Sequence, residues 1–242
     1  TLTVEDSYVP EGSFIPDGFS LKLACPELSG SLVKKPVAFD LSVNYTRDFL
    51  SFYSSDNLGL FGTFGKEDGL MASWQMGDII SAEITGNFAP SNQFVKIANA
   101  NINLNKLLNN LTIDDILKVE QGIVKGTVTM RGPFNTPDFK GALSITAPNF
   151  YLPFLFDQKL STDKMLLTAS NNEFNLAETV YNLKNSQKFK MSSHAYMNKW
   201  SVDHFDMKLL TLEKQTVPIR FKNPLIKIDG DAEVDLLITW EN

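Results

Sequence analysis

The sequence predicts an all-β protein built from antiparallel strands. Along most of its 242 residues, apolar and polar side chains alternate with a period of two, which is typical of strands that bury one face and expose the other. Gly, Asn, Asp and Pro separate these runs, and their spacing predicts about 14 to 16 strands with antiparallel connections. A helical period is rare, so we expect helices to contribute little.

The first strands are predicted from clear alternating runs. In "VAFDLSVNY", Phe39, Leu41 and Val43 share one face, and the side chains between them are polar. The run "SAEITGNF" places Ile84 on an apolar face in the same way. Because side chains at i and i+2 point to the same side of a strand, each run has one apolar face. We therefore expect residues 1–96 to form a first set of strands.

The most regular run is "ANANINLN". Its four apolar residues, Ala98, Ala100, Ile102 and Leu104, alternate with four asparagines without an exception. No helix would keep this phase, because side chains two residues apart on a helix point in different directions. The run predicts a strand with one apolar and one amide-bearing face.

The stretch "GTVTMRGPFNTPDFKGAL" predicts two strands and a turn that contains two prolines. Val128 and Met130 share the apolar face of the first strand. Phe139, Leu143 and Ile145 share that of the second. Glycine in these strands removes side chains where strands bend or approach closely. The final run, "AEVDLLITW", has the same pattern, with an apolar face of Val234, Leu236 and Ile238.

One segment breaks the alternation. In "NKLLNNLTIDDILKVEQG", from Asn105 to Gly122, leucine and isoleucine recur near the i, i+3/i+4 spacing of a helix. The segment predicts one or two short helices near 105–121, with Gly122 as the C-cap. We expect this segment to cover one end or one face of the sheet.

The charge of the chain argues against a nucleic-acid partner. The net charge is −6, and Lys and Arg form no cluster, whereas a protein that neutralises phosphates needs a basic face. The single cysteine, Cys25, excludes an internal disulfide. The first residues, "TLTVEDSYVP", show neither the basic nor the apolar region of a signal peptide, and no apolar run of about 18 residues occurs in the sequence. We expect the chain to be a segment of a longer protein.

Catalytic and metal-binding motifs are also missing from the sequence. His194 and His204 are the only histidines, and we expect each to face solvent on its strand. No HExxH, P-loop, GxGxxG or GxSxG motif occurs. The sequence therefore predicts a protein that is not an enzyme and that holds no cofactor and no metal.

The run "INLNKLLNNL…VEQGIVKGTVTMRGPFNTPDFKGALSITAPNFYLP" resembles the repeating unit of the AsmA-like superfamily and, within it, of the TamB proteins. That unit is a strand, a short Leu-rich helix, a Gly-x-Val-x-(apolar)-x-Gly strand, and an Asn-x-Pro-x-(apolar)-x-Gly turn and strand. The resemblance covers residues 97–155 as the helix-containing unit, and we expect 156–242 to add further strands of one continuous segment. The motif positions are Gly126, Val128, Met130, Gly132, Asn135, Pro137, Phe139 and Gly141.

The resemblance implies a fold, a setting and a function. The fold is a long antiparallel sheet, curled like a taco but not closed, with an open apolar groove. The setting is the periplasm of a diderm bacterium, with a longer parent protein anchored in the inner membrane. The function is phospholipid transport in envelope biogenesis, with acyl chains as ligands. The parent would meet a BamA-like protein of the outer membrane through another part of its chain.

The residues expected to line the groove are the apolar positions of the alternating runs. They are Phe39, Leu41, Val43, Ile84, Ile102, Leu104, Val128, Met130, Phe139, Leu143, Ile145, Val234, Leu236 and Ile238.

Two alternatives stay open at this point. The 18 Phe and seven Met suit a groove lined with adaptable apolar side chains, but without the resemblance an ordinary β-sandwich core would be preferred. Such a sandwich would suit an adhesin or a carbohydrate-binding protein. An open sheet would also suit a periplasmic scaffold that receives strands of outer-membrane barrel proteins by β-augmentation. If the chain is a segment of a longer protein, its edge strands should make it self-associate.

Overall fold

The computed structural model describes residues 2–8, 18–28, 34, 37–112, 117–153, 158–183, 187–212, 215–222 and 227–241. These residues form eighteen strands and one short helix. The helix is α1 (Leu104–Leu108). The strands are β1 (Leu2–Tyr8), β2 (Gly18–Leu28), β3 (Val37–Thr46), β4 (Phe49–Ser54), β5 (Leu60–Gly65), β6 (Gly69–Met76), β7 (Ile80–Asn87), β8 (Phe94–Asn103), β9 (Lys118–Arg131), β10 (Asp138–Tyr151), β11 (Leu160–Ser161), β12 (Lys164–Ser170), β13 (Glu173–Asn182), β14 (Lys188–Asn198), β15 (Ser201–Thr211), β16 (Val217–Lys222), β17 (Lys227–Ala232) and β18 (Asp235–Glu241).

The all-β fold with one long antiparallel sheet is confirmed. Sixteen strands form a single sheet in which β1 to β10 follow one another in chain order. The other two, β16 and β17, form a separate hairpin, and β18 returns to pair with β15. The two facing sheets of a sandwich are not the fold of the described residues, because their only second sheet is this hairpin.

The buried hydrophobic side chains of the large sheet lie on one of its faces, which we call the inner face. Cross-strand pairing connects them through partners such as Ile80 and Ile102, or Tyr181 and Phe189. The opposite side is the outer face. Because the period of a strand is two, this register directs the apolar half of each alternating run inward.

The sheet curls toward its inner face, and a contact between distant strands supports this. The backbone N–H of Lys34, which lies between β2 and β3, donates a 2.8 Å hydrogen bond to the carbonyl of Asn110, just after α1. In a flat sheet, β3 and β8 would be about 24 Å apart, since neighbouring strands are separated by about 4.8 Å. A backbone contact across this distance is in accord with a curled sheet.

A second contact spans the opposite ends of later strands. Trp200, in the turn between β14 and β15, donates a 2.7 Å hydrogen bond from Nε1 to the carbonyl of Phe134, in the turn before β10. The two rings also pack, with centroids 5.4 Å apart. Since β12 and β13 lie between these elements, this contact is also in accord with curvature.

Two glycines of the predicted repeat unit allow β9 and β10 to approach closely. A Cβ at Gly126 would lie 2.1 Å from the carbonyl oxygen of Ala142, and a Cβ at Gly141 would lie 2.3 Å from that of Thr127. Both glycines have positive φ, 151° and 159°. Because the close contacts are with backbone atoms of the neighbouring strand, neither position can hold another residue without moving the two strands apart.

The helical segment is confirmed but is shorter than predicted. Helix α1 ends at Leu108, and the side chain of Asn103 caps it by accepting a 3.2 Å hydrogen bond from the backbone N–H of Lys106. Residues 113–116 lie outside the described residues. Strand β9 begins at Lys118, so a C-cap at Gly122 is wrong. The reason is burial, because Val119 packs in the inner face as a strand residue.

The main hydrophobic cluster fills the inner face near α1. Its core joins Val119, Phe150, Tyr181, Phe189 and other buried residues from the ends of β9 to β15 that lie near the helix. We call this the helix end of the sheet. At the opposite end, which we call the open end, the same strands carry partly accessible side chains.

Candidate functional site

A continuous row of apolar residues crosses the inner face from β2 to β18. Each member is the direct cross-strand partner of the next, so neighbouring side chains stand side by side except at the two glycines, which have none. Strands are separated by about 4.8 Å, which makes the row roughly 60 Å long when measured along the sheet. We call it the apolar row. It consists of Leu21, Val43, Phe52, Gly62, Ala72, Ile84, Ile97, Val128, Gly141, Ala169, Phe174, Ala195, Phe205 and Trp240.

The adjacent row on the outer face has the opposite character. Every member except Met71 is polar or charged. Its members are Ser20, Asn44, Ser51, Thr63, Met71, Thr85, Lys96, Thr129 and Lys140. From β2 to β10, the sheet therefore separates an apolar surface from a polar one.

The apolar row is accessible along most of its length. Apart from buried Ala169 and exposed Trp240, its side chains are half-buried. Neighbours on adjacent strands cover the flanks of such a side chain, whereas a second layer would also cover its tip. Half-burial along the row thus indicates a surface that the described residues leave available to an apolar ligand.

Most of the predicted groove residues lie on this inner face. Val43, Ile84 and Val128 belong to the apolar row itself. The register places the following residues on the same face beside it: Phe39, Leu41, Ile102, Met130, Phe139, Leu143, Ile145, Leu236 and Ile238. Leu104 and Val234 are different, because they pack against the buried cluster at the helix end.

A β-bulge in β8 changes the face of one predicted residue. Asn99 has a positive φ of 51°, and the register shifts between Ile97 and Ala100. Ala98 therefore pairs with Glu83 on the outer face, contrary to the unbroken alternation of its run. Ile97 takes its place on the inner face.

An apolar cleft opens at the end of β3 to β7 that is farthest from α1. Its volume is about 540 Å³. Phe49, Leu50, Phe64 and Phe88 line it, and the rings of Phe64 and Phe88 pack with centroids 5.6 Å apart. Arg47 also borders the cleft. Asp48 and Lys66 border it as well, so the open end offers a concave aromatic surface with charges of both signs nearby.

A second aromatic group lies at the open end of the later strands, between β10 and β15. The ring of Phe139 lies 5.6 Å from that of Phe174 and 5.7 Å from that of Trp200. Asn172 fixes the turn beside them, since its side chain donates to the carbonyl of Pro137 and accepts from the N–H of Phe139. This group orders the rim of the inner face.

Two pKa shifts reflect the surroundings of the helix end. Burial raises the pKa of the Tyr181 phenol, whose ring stacks on Phe189 inside the cluster. On the exposed surface, Lys159 lies 2.8 Å from Glu120 and holds the pKa of that carboxyl below its usual value. Neither of these ionisable groups belongs to the apolar row, whose members carry no ionisable side chain.

The two histidines lie on the outer face, as expected, but the structure also brings them together. They lie half-buried on neighbouring strands of the outer face, with Asp206 between them. Sequence spacing concealed this cluster, because it depends on the register between β14 and β15.

No described helix has the length and hydropathy needed to cross a lipid bilayer. A comparison of the chain with protein-family models, with curated proteins and with solved structures finds no match.

Proposed function

We propose that this chain binds the acyl chains of phospholipids on its inner face and conducts them between membranes as part of cell-envelope biogenesis. The observation that carries the proposal is the apolar row, which runs across the sheet without a polar member. Its function would be binding and transport without catalysis. The sequence resemblance to the AsmA-like superfamily supports the same function.

The hydrophobic effect explains why a continuous row would serve this function. Exposing an acyl chain of about 16 carbons to water costs on the order of 12 kcal/mol, at roughly 0.8 kcal/mol per methylene. Free lipid therefore crosses water rarely. A ligand that moves from one strand to the next along an apolar surface keeps its chain out of water at every step, and its headgroup can stay in solvent.

The setting is part of the proposal and rests on the resemblance. We place the chain in the periplasm, within a parent protein anchored in the inner membrane. A BamA-like protein in the outer membrane would be the partner of another part of that parent.

Site-specific photocrosslinking tests the proposal. A photoreactive amino acid at Val128 or Leu143 should capture phospholipid in cells. The matched controls are Thr129 and Ser144, which lie on the same two strands but on the outer face. Lipid captured equally at both pairs, or only at the outer positions, would contradict binding on the inner face.

A scaffold for barrel strands is the second candidate, and the edge strand β18 favours it. The edge of β18 that faces away from β15 has no strand partner among the described residues. Two side chains of this strand, Leu237 and Trp240, are 62% and 48% accessible. An extended peptide could add to this edge by β-augmentation. Native mass spectrometry separates the two functions, since copurified acyl lipid supports transport. A saturable complex with unfolded barrel peptides, formed without lipid, supports the scaffold.

A further inference from the structure

Three metal-ligating side chains meet on the outer face near the edge of the sheet. His194 lies on β14, and His204 and Asp206 lie on β15. His194 is the direct cross-strand partner of Asp206. His204 is two residues before Asp206, so both point to the same side of their strand. The three side chains therefore converge from two adjacent strands.

The distances between their ligand atoms suit one metal ion. Asp206 Oδ2 lies 3.0 Å from His204 Nε2 and 3.6 Å from His194 Nδ1. One ligand atom from each residue lies within 4.8 Å of the others. Around a tetrahedral zinc ion with bonds of about 2.1 Å, neighbouring ligand atoms are roughly 3.4 Å apart. Small side-chain rotations would bring the three atoms to that spacing.

The surroundings of the cluster support metal binding. The other ring nitrogen of His204, Nδ1, lies 3.6 Å from Glu241 Oε1 on β18. Histidine ligands commonly direct their second nitrogen to a carboxylate, which orients the ring and strengthens the ligand. The side chains of His194, His204 and Asp206 are each about one-third exposed, so solvent can reach a fourth coordination position.

We propose that His194, His204 and Asp206 bind a divalent transition metal ion of the zinc class. Two imidazoles and one carboxylate favour zinc over magnesium or calcium, which prefer oxygen ligands. The ion would link β14 to β15, and Glu241 would extend the link to β18. The site is independent of the apolar row, because it lies on the opposite face of the sheet.

Zinc titration of the tag-free 242-residue chain tests the site. After chelator treatment, isothermal titration calorimetry with zinc chloride should show one site per chain. Asp206→Asn keeps the size of the side chain and should lower zinc affinity by at least about tenfold, as should His194→Ala and His204→Ala. Glu241→Gln should lower it by a smaller factor, through the orientation of His204, because the Glu241 carboxylate is exposed and 3.6 Å from the ring. Lys208→Ala is the matched control, because Lys208 is the next residue of β15 whose side chain lies on the outer face. This variant should retain the wild-type affinity for zinc.

Cobalt(II) spectroscopy gives a second readout that does not depend on comparing variants. Cobalt added to the wild-type chain should produce the visible absorption of a four-coordinate ion, and zinc should abolish it by displacement. Circular dichroism establishes that each variant is folded. The proposal is overturned if the wild-type chain binds neither ion, or if folded variants at all three positions bind zinc as tightly as the wild type. In either case, Asp206 and His204 form only a hydrogen-bonded pair.

Discussion

Replacing Gly141 with alanine should weaken the pairing of β9 with β10. The new Cβ would lie 2.3 Å from the carbonyl oxygen of Thr127, which is about 1 Å closer than an ordinary contact. That oxygen belongs to the backbone, so relief requires the two strands to separate. The positive φ of 159° adds conformational strain. Together these effects should lower the free energy of unfolding by at least about 3 kcal/mol.

Two other glycines separate the steric cost from the conformational cost. Gly77 has a φ of +52°, but a Cβ there would meet no atom within 4 Å. Gly77→Ala should therefore cost only about 1 to 2 kcal/mol, from backbone strain. A Cβ at Gly230 would also meet nothing, and no positive φ applies. Gly230→Ala should leave stability unchanged or raise it by up to about 1 kcal/mol.

Urea unfolding followed by tryptophan fluorescence measures all three variants. The expected order of unfolding midpoints is Gly230→Ala highest, then Gly77→Ala, then Gly141→Ala. A Gly141→Ala midpoint equal to that of Gly77→Ala would show that the close approach of β9 and β10 costs nothing. The account of these glycines would then be refuted.

Three further substitutions test other parts of the structure. Val128→Asp places a charge in the apolar row and should reduce the amount of copurified phospholipid, measured by mass spectrometry. Thr129→Asp, on the outer face, should not reduce it. Equal losses in the two variants would contradict a lipid site on the inner face. Tyr181→Phe removes a buried hydroxyl that makes no hydrogen bond of regular geometry within the described residues and has only a weak interaction with the Thr179 side chain, so it should raise the free energy of unfolding by about 1 kcal/mol; a clear destabilisation in urea would show that the Thr179 interaction stabilises the fold. Leu237→Lys adds a charge to the exposed edge strand β18 and should weaken self-association of the chain in sedimentation velocity; unchanged association would mean that this edge is not the contact.

The period-two pattern predicted which side chains lie on the inner face wherever the ladder is regular. Phe39, Leu41 and Val43 illustrate this, because β3 pairs with β2 and β4 without interruption at these positions. The pattern failed at Asn99, where a bulge inserts one residue into β8. As a result, Ala98 lies on the outer face and Ile97 lies on the inner face. A bulge leaves no signal in the alternation of "ANANINLN", since its polar residues would also suit a regular strand.

The histidine cluster could not be predicted for a related reason. The register between β14 and β15 shifts by one residue between Tyr196 and Met197. Without that shift, His194 would pair with Phe205 and would point away from Asp206, because a slip of one residue reverses the face of a side chain. The site therefore depends on an irregularity in the backbone.

The order of strands has a consequence for how this chain folds and how it can change. From β1 to β10, each strand pairs with the one that follows it in the chain, so the contacts within the sheet are local. Proteins dominated by local contacts fold through short loop closures, and linear arrays of similar units transmit stability mainly to their nearest neighbours. A lesion such as Gly141→Ala should therefore fray the hairpins beside it and leave β3 to β7 protected against amide hydrogen exchange. For the same reason, inserting or deleting a whole hairpin changes the length of the inner face without altering the register of the remaining strands.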